Sequence, residues 1–319
     1  MKVTIAYRIL ALLLSLWATW GIGVTTPPST EDPIVLDKTS ELNFILWADP
    51  QIANYKLARA QNTDLACQDV VNSGNYYDAV VVAGDITENG LQAEYTCVGT
   101  YLQNIDTGVY LMATGNHDIR LRAYSQASKR FIRFSNDLNE AGKAGLVIEQ
   151  FNYSYEINGY KFIVMGSDKR RFEEAWFSDE TLAWLDKEIA SVDGKPVFVI
   201  NHQSLKDTHG LPDTWGSSDN VRGSVGDQSD ILFDIMNKYE NVMFVTGHLH
   251  TAFGDNLYEK KENVHLVNVP SLGIVCKDGF YNEAGTGFVV SVFDDKVIFK
   301  ARDFAKGVYV PDGDIVIKF

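Results

Sequence analysis

The chain is poor in the residues that define several protein classes. It has three cysteines and eight prolines in 319 residues. Three thiols exclude a small scaffold held by a dense disulfide framework. The positions of Cys67, Cys97 and Cys276 match no zinc-site spacing. Cys67 and Cys97 fall on two consecutive helical segments. One bond between them and two buried free thiols are both open readings. Basic charge is also scarce: 28 Lys and Arg face 42 Asp and Glu, for a net charge of −14. A general binder of long nucleic acid needs a basic face, so that class is excluded. The same deficit repels anionic substrates from the surface as a whole. A site for a phosphate ester would therefore need local cations. There is no internal repeat, no low-complexity tract and no linker after about residue 40.

One uncharged apolar run stands out, and it lies at the N-terminus. Lys2 and Arg8 precede an apolar stretch over residues 9–24, and residues 25–33 are polar and proline-containing. This order reads as a secretory signal. The run is short for a membrane span. Trp17 and Trp20 crowd the cleavage region, so an uncleaved anchor is the alternative, and membrane contact is expected only in that case. No cysteine follows the run, which excludes a lipid-modified N-terminal Cys. The expected divisions are a signal or anchor over 1–25, a linker over 26–40 and one mixed α/β domain over 41–319, in an exported protein.

From residue 41 strands and helices alternate. Residues 42–47 read as a strand. Residues 56–71 read as a helix with Leu57, Ala60, Leu65 and Val70 near one face. Residues 79–83, with sequence AVVVA, suit a buried parallel strand. A second helix to about residue 103, a strand over 109–113 and a third helix over 123–139 follow. Residues 151–165 read as a hairpin turning at Asn158-Gly159. Ser178 is the expected cap of a helix over 179–189. Further strands are expected at 196–200, 242–246, 264–269, 287–293 and 297–303, with a helix over 229–239. Residues 204–228 look like one long loop of the functional or mobile kind. The early βαβαβ should be parallel, and the strand-rich end should add a second sheet with antiparallel pairs.

Five of these strands end in polar clusters: Asp49-Pro50-Gln51, Gly84-Asp85, Gly115-Asn116-His117-Asp118, Asn201-His202 and Gly247-His248-Leu249-His250. Polar groups in such density are costly to bury without partners. In open α/β sheets the ligand crevice lies at the carboxyl ends of strands. Five clusters on that edge can converge on one point. In extended chain, residues i and i+2 point the same way, so Asp49 with Gln51, and His248 with His250, each present two donors. Carboxylates, imidazoles and amide oxygens without thiolate suit Mn, Fe or Zn rather than a structural zinc. Their number suits two ions.

This series resembles the calcineurin-like metallophosphoesterase superfamily. Its pattern is Asp-x-His, Gly-Asp, Gly-Asn-His-Asp/Glu, His and Gly-His-x-His, and the match runs from about Leu42 to His250. The resemblance implies a four-layer α/β/β/α sandwich of two mixed sheets flanked by helices. It implies one metal on Asp49, Gln51, Asp85 and His250, and another on Asp85, Asn116, His202 and His248, with Asp85 as the bridge. It implies attack on phosphorus by a bridging hydroxide, with His117 as general acid and Asp118 as a residue that helps orient His117. Gln51 departs from the pattern, which has His there, and resembles a minority branch with Gln. An amide oxygen is harder and a weaker donor than imidazole, so Mn(II) or Fe(II) is favoured over Zn(II) at that ion.

The block Gly84-Asp85-Ile86-Thr87-Glu88-Asn89-Gly90 lacks the tyrosine of purple acid phosphatases and the Asp-Arg continuation of serine/threonine protein phosphatases. It looks like the small phosphodiesterase and phosphohydrolase branches, which accept nucleotides, cyclic nucleotides or phospho-headgroup compounds. The expected function is an exported dimetal phosphoester hydrolase on such a small substrate. The alternatives are a catalytically weak scaffold of the same fold and a nuclease. In the 204–228 loop, Trp215 is a candidate to stack on a base and Arg222 to bind phosphate; a surface loop packed by one Trp is the other reading. Asn116 is a candidate substrate contact as well as a ligand. Arg120 and Arg122 read as solvated arginines, His265 as structural, and Tyr76 and Tyr77 as packing residues.

Overall fold

Strands that are apolar on both faces must be covered on both faces, and the alternating helices and a second sheet do this. The computed structural model describes residues 32–210 and 223–319. The first sheet starts from β1 (Leu42–Trp47), β2 (Tyr77–Val82) and β3 (Thr107–Met112), linked by α1 (Leu57–Asn72) and α2 (Gln92–Leu102). These strands are parallel, with Phe44 beside Ala79 and Val80 beside Tyr110. Parallel neighbours require such helical crossovers. A single turn, α3 (Asn116–Ile119), and the long α4 (Tyr124–Ala141) follow.

The second sheet comes from the middle of the chain, not from its end. Its strands are β4 (Tyr153–Ile157), β5 (Tyr160–Val164), β6 (Val197–Ile200), β7 (Val242–Thr246), β8 (Tyr258–Lys261) and β9 (Val264–Asn268), with α5 (Asp179–Ala190) and α6 (Ser229–Met236) between them. Their order is β4-β5-β6-β7-β9-β8. The strand-rich C-terminus instead extends the first sheet: β10 (Thr286–Phe293), β11 (Lys296–Asp303), β12 (Val308–Tyr309) and β13 (Ile315–Lys318). β10 lies antiparallel on the free edge of β1, with Phe44 opposite Val290. An exposed edge carries unpaired backbone groups that call for a partner. That pairing spans most of the chain, and no local pattern announces it.

Each inner strand divides its side chains between two cores. Phe44 and Leu46 face the other sheet with Phe162, Phe198 and Val245, while Ile45 and Trp47 face the helices with Val70, Tyr95 and Phe131. On the far side, Val199 and Phe244 pack under Leu185 and Leu232. The layers are therefore α/β/β/α. Phe44 meets Phe162 and Phe198 edge-on at 5.3 and 5.4 Å, and those two rings stack at 4.8 Å. Such pairs add about 0.5–1.5 kcal/mol beyond area burial.

Local signals are realised closely. Asn158 and Gly159 both take positive φ, 52° and 81°, as a tight hairpin turn requires. Ser178 caps α5 by accepting from Thr181 N at 3.2 Å. The face of α1 is shifted, however. It buries Thr63, Ala66, Cys67, Asp69 and Val70 and leaves Leu57 56% exposed. That face carries an ion pair: the buried Arg302 donates to both oxygens of Asp69, at 2.6 and 2.8 Å. Arg302 also donates to the Asp32 carbonyl at 2.9 Å, and Asn75 Nδ2 donates to the Ile34 carbonyl at 2.8 Å. The described part of the expected linker is thus tied to the first sheet. All three cysteines are free thiols. Tyr77 is buried, but Tyr76 is exposed. His265 accepts or donates at 2.9 Å with the Tyr258 hydroxyl, a structural role. Among the described residues no helix is long and apolar enough to cross a membrane. The signal or anchor over 1–25, Trp215 and Arg222 lie outside the described residues.

Candidate metal centre at the strand ends

The carboxyl ends of β1, β2 and β3 face those of β6 and β7, and backbone hydrogen bonds stitch the loops together beyond the ladders. Asp49 N donates to the Gly84 carbonyl at 3.1 Å and Gln51 N to the Asp85 carbonyl at 2.8 Å; Gly247 N donates to the His202 carbonyl at 3.0 Å. The two sheets are joined through side chains. His202 from β6 places Nδ1 at 2.8 Å from the Ala83 carbonyl of the first sheet. His248 N donates to Asp49 Oδ2 at 3.0 Å.

The glycines in these blocks are dictated by contact. A Cβ on Gly115 would stand 2.0 Å from Asp85 Oδ1, and one on Gly84, at φ +88°, would stand 2.6 Å from the His202 ring. No larger residue fits without displacing a polar group of the site.

The polar side chains expected from the sequence converge. His202 Nε2 lies 3.2 Å from Asp85 Oδ2 and 3.8 Å from Asp49 Oδ1. His248 Nδ1 lies 3.1 Å from His202 Nε2, and His250 Nε2 lies 3.1 Å from Asp49 Oδ1. Asp85, His202 and His248 each offer a ligand atom within 4.8 Å of the others. Asp49, Asp85, Asn116 and His202 are all buried. The Gln51 Oε1 and Asn116 Oδ1 oxygens are buried with no hydrogen-bond partner among the described residues. Unpartnered buried carbonyl oxygens cost about 1–3 kcal/mol each. Both Gln51 and Asn116 adjoin Asp85 through the backbone: Gln51 N donates to its carbonyl, and Asn116 precedes His117, whose N–H donates to its carboxylate. With the two carboxylates and three imidazoles they make up a donor set of the kind that fits metal cations.

The electrostatics point the same way. Burial pushes the Asp85 carboxyl up, but His202 and His117 outweigh it and hold the group below the usual carboxylate range. Burial lowers His202, yet Asp85 and Asp49 overcome this and raise it to about 9. Burial and then the positive His202 push His248 well below its ordinary value. In this arrangement the imidazolium of His202 supplies the positive charge the two carboxylates call for.

The backbone differs from the extended geometry expected of Asp-x-Gln and His-x-His. Asp49, Gln51, Asp85, His248 and His250 all have positive φ, from 45° to 71°. The members of each pair are turned into the crevice by left-handed backbone rather than by strand periodicity.

His117 is fixed by the Gly-Asp block. Its N–H donates to Asp85 Oδ1 at 2.8 Å and its Nδ1 sits 3.0 Å from the Glu88 carbonyl. Nε2 is thereby left on the side of Asp85, 3.9 Å from Oδ2. Asp118 does not orient this ring. Its carboxylate accepts from Gly115 N at 2.9 Å, Ile86 N at 3.2 Å, Thr87 N at 3.0 Å, Thr87 Oγ1 at 2.8 Å and Tyr95 Oη at 3.1 Å. It organises the two loops around the site. Burial, then the nearby Asp85, raise it to about 6.

Two acidic residues matter that were not singled out from the sequence. Glu88 binds Lys56 at 3.3 Å and also Arg59, whose guanidinium donates to the Gln51 carbonyl at 3.0 Å. Its signal was its place within the Gly-Asp block. Glu173 Oε2 accepts from Asn116 Nδ2, and its Oε1 from Arg120 Nη1, both at 2.5 Å. Glu173 engages the Asn116 amide through its NH2 group, and the Asn116 oxygen is the end left without a partner. Arg120 is thus a paired residue, not a solvated one. Glu173 lies in a loop far along the chain, and no sequence signal marks it. In the 204–228 segment, Lys206 is exposed and His209 is buried against the Asn256 carbonyl at 3.0 Å, so its first residues are packed structure.

Comparison with known proteins agrees with this geometry. The family model for calcineurin-like phosphoesterases matches residues 47–252. A probable glycerophosphodiester phosphodiesterase, GpdQ, of Arcobacter nitrofigilis is 28% identical over 175 residues, 54% of this chain and 56% of that protein. A probable cyclic nucleotide phosphodiesterase of Ruthia magnifica is 21% identical over 249 residues, 77% of this chain and 91% of that one. The chain thus spans little more than half of the Arcobacter relative. In structure, the purple acid phosphatase PPD1 of yellow lupin superposes with a TM-score of 0.59 at 16% identity, covering 87% of this chain and 53% of that chain. PhoD superposes at 0.55 with 11% identity, covering 92% and 70%. At such identities the likeness is one of fold.

Proposed function

The chain belongs to the calcineurin-like phosphoesterase family, and from that premise we propose that it is a dimetal phosphodiesterase acting on small phosphodiesters. The observation that carries the reading is the convergence of Asp85, His202 and His248, with ligand atoms within 4.8 Å of one another, together with the buried, unpartnered amide oxygens of Gln51 and Asn116. Asp49, Gln51, Asp85 and His250 would hold one ion; Asp85, Asn116, His202 and His248 would hold the other. Such a pair of ions neutralises phosphoryl oxygens and makes water a nucleophile at neutral pH. Family membership supports two divalent ions, and the amide at Gln51 supports Mn(II) or Fe(II) over Zn(II) there. Names of two relatives, a glycerophosphodiester and a cyclic nucleotide phosphodiesterase, support a diester over a monoester.

The chain's own groups serve the reaction as follows. Burial of Asp49 and Asp85 excludes water from the carboxylates, which strengthens their hold on cations. The Glu88 carbonyl fixes the His117 tautomer with its proton at Nδ1. A second proton at Nε2, facing the site, makes His117 a donor to the departing oxygen. The Glu88 carboxylate lies 3.7 Å from the same Nδ1. The proposal of export rests on the N-terminal segment alone, and Edman sequencing of the mature protein tests it: an intact Met1 on a cytoplasmic protein would overturn it.

The central test is hydrolysis of bis(p-nitrophenyl) phosphate and p-nitrophenyl phosphate by metal-stripped protein reloaded with Mn(II), Fe(II) or Zn(II). Turnover of the diester in preference to the monoester, best with Mn(II) or Fe(II), is expected. Turnover of neither would leave a scaffold of this fold, and best turnover with Zn(II) would refute the metal preference.

A further inference from the structure

Next to the strand-end site lies a cavity of about 450 Å3 walled by Arg120, Leu121, Arg170 and Phe172. Its walls run against the character of the molecule. The chain has a net charge of −14, yet two of these four residues are arginines. Phe172 is 69% exposed and Leu121 48% exposed, so apolar surface is left open to water at a cost. The Arg120 guanidinium stands 5.4 Å from the Phe172 ring centroid, a cation–π arrangement. Arg120 is neutralised by Glu173. Arg170 is not: it donates to the Arg122 carbonyl at 3.1 Å. Among the described residues neither Arg170 nor Arg122 has a carboxylate partner, and Arg122 Nε is buried without a hydrogen bond. The cavity and the strand-end site share one carboxylate, since Glu173 binds Asn116 and Arg120 together.

We propose that this cavity is the subsite for the half of the substrate remote from the scissile phosphorus, and that it takes a planar aromatic ring carrying a second anionic group. A nucleoside diphosphate ester has that chemistry. The ring would cover Phe172, and the extra phosphoryl charge would meet Arg170. A glycerol headgroup would leave Phe172 wet and the Arg170 guanidinium unpaired. The cavity volume lies in the usual range for small-ligand sites. The inference rests on the phosphodiesterase reading above.

The full chain loaded with Mn(II) would be assayed with UDP-glucose and with glycerophosphoethanolamine, and UDP binding would be measured by calorimetry. The expected result is a kcat/KM at least about tenfold higher for UDP-glucose. Phe172→Ala and Arg170→Met should each cut that ratio about tenfold, through KM rather than kcat, and weaken UDP binding to match. Both positions are on the surface, so folding is not at risk. Preference for the glycerol diester, or variants that move both substrates alike, would overturn the subsite. Turnover of neither diester with UDP binding still weakened in the variants would refute the phosphodiesterase reading and keep the subsite. Loss of turnover without UDP binding would refute both.

Discussion

Glu173→Gln should weaken one of the two proposed metal sites and leave the other alone. The carboxylate accepts from Asn116 Nδ2 through one oxygen and from Arg120 Nη1 through the other, each at 2.5 Å. Glutamine offers one acceptor and one NH2 in the same space. Whichever way it turns, a donor faces either the Asn116 amide or the guanidinium. A charge-assisted bond of this kind is worth about 1.5–3 kcal/mol. Glu173 and Arg120 are 23% and 16% exposed, so water recovers part of the loss. Replacing partners behind a metal ligand costs about 10–100-fold in affinity, and the partial exposure puts the expectation near tenfold, or about 1.4 kcal/mol. The assay is titration of metal-stripped protein with Mn(II), following free Mn(II) by electron paramagnetic resonance. Two sites should be seen in the parent. In the variant the Asn116 site should weaken about tenfold, while the site of Asp49 and His250 should hold. Equal weakening of both sites, or none, would refute the claim that Glu173 holds the Asn116 amide for a metal.

Three further outcomes are expected. His117→Asn should slow cleavage of diesters with poor alkoxide leaving groups by about 10²–10⁴-fold and change bis(p-nitrophenyl) phosphate far less; equal losses on both would remove the proton-donor role. Burial, opposed by the Asn256 carbonyl, lowers His209 to about 4 from 6.5. The unfolded chain therefore binds a proton that the folded one refuses, and stability present above pH 6.5 falls as pH drops toward 4. Urea unfolding should show a loss on the order of 2 kcal/mol between pH 7 and 5 that His209→Gln largely abolishes; parallel profiles would refute it. Gln51→Gly should raise the stability of the metal-free protein by about 1 kcal/mol, since it relieves a positive φ and removes a buried unpaired oxygen, while lowering metal affinity. A metal-free variant less stable than the parent would contradict the strain at this position.

What the sequence revealed was local. Hydrophobic runs marked β1, β2, β6 and β7, because burial on both faces forces continuous apolar chain. Asn158-Gly159 and Ser178 marked a turn and a cap, because their chemistry acts within a few residues. The polar clusters at strand ends were visible for the same reason. What stayed hidden depends on distant partners. The pairing of β1 with β10 joins Leu42 to Val292. Asp69 on the buried face of α1 pairs with Arg302, far along the chain. Glu173 reads as any loop carboxylate until the fold sets it on Asn116. The expectation for Asp118 failed because adjacency in sequence was taken for contact: one turn of helix points it at Gly115, Thr87 and Tyr95 while His117 points elsewhere.

The most informative error concerns geometry rather than identity. Alternate residues of an extended strand share a side, which selects Asp49 with Gln51 and His248 with His250. Their backbones are left-handed instead, at φ 53°, 45°, 71° and 50°. A residue with a Cβ pays about 1–2 kcal/mol for that conformation, and Asp and His tolerate it better than most. The strain is held by bonds such as Gln51 N to the Asp85 carbonyl at 2.8 Å and Lys277 N to the His250 carbonyl at 3.0 Å. Gln51 is the telling member. A loop chosen for stability alone would carry glycine or asparagine there. Glycine has no oxygen to offer, and asparagine reaches one bond less far. Glutamine accepts backbone strain and leaves its amide oxygen buried and unpaired, two costs that the proposed cation at that oxygen would offset.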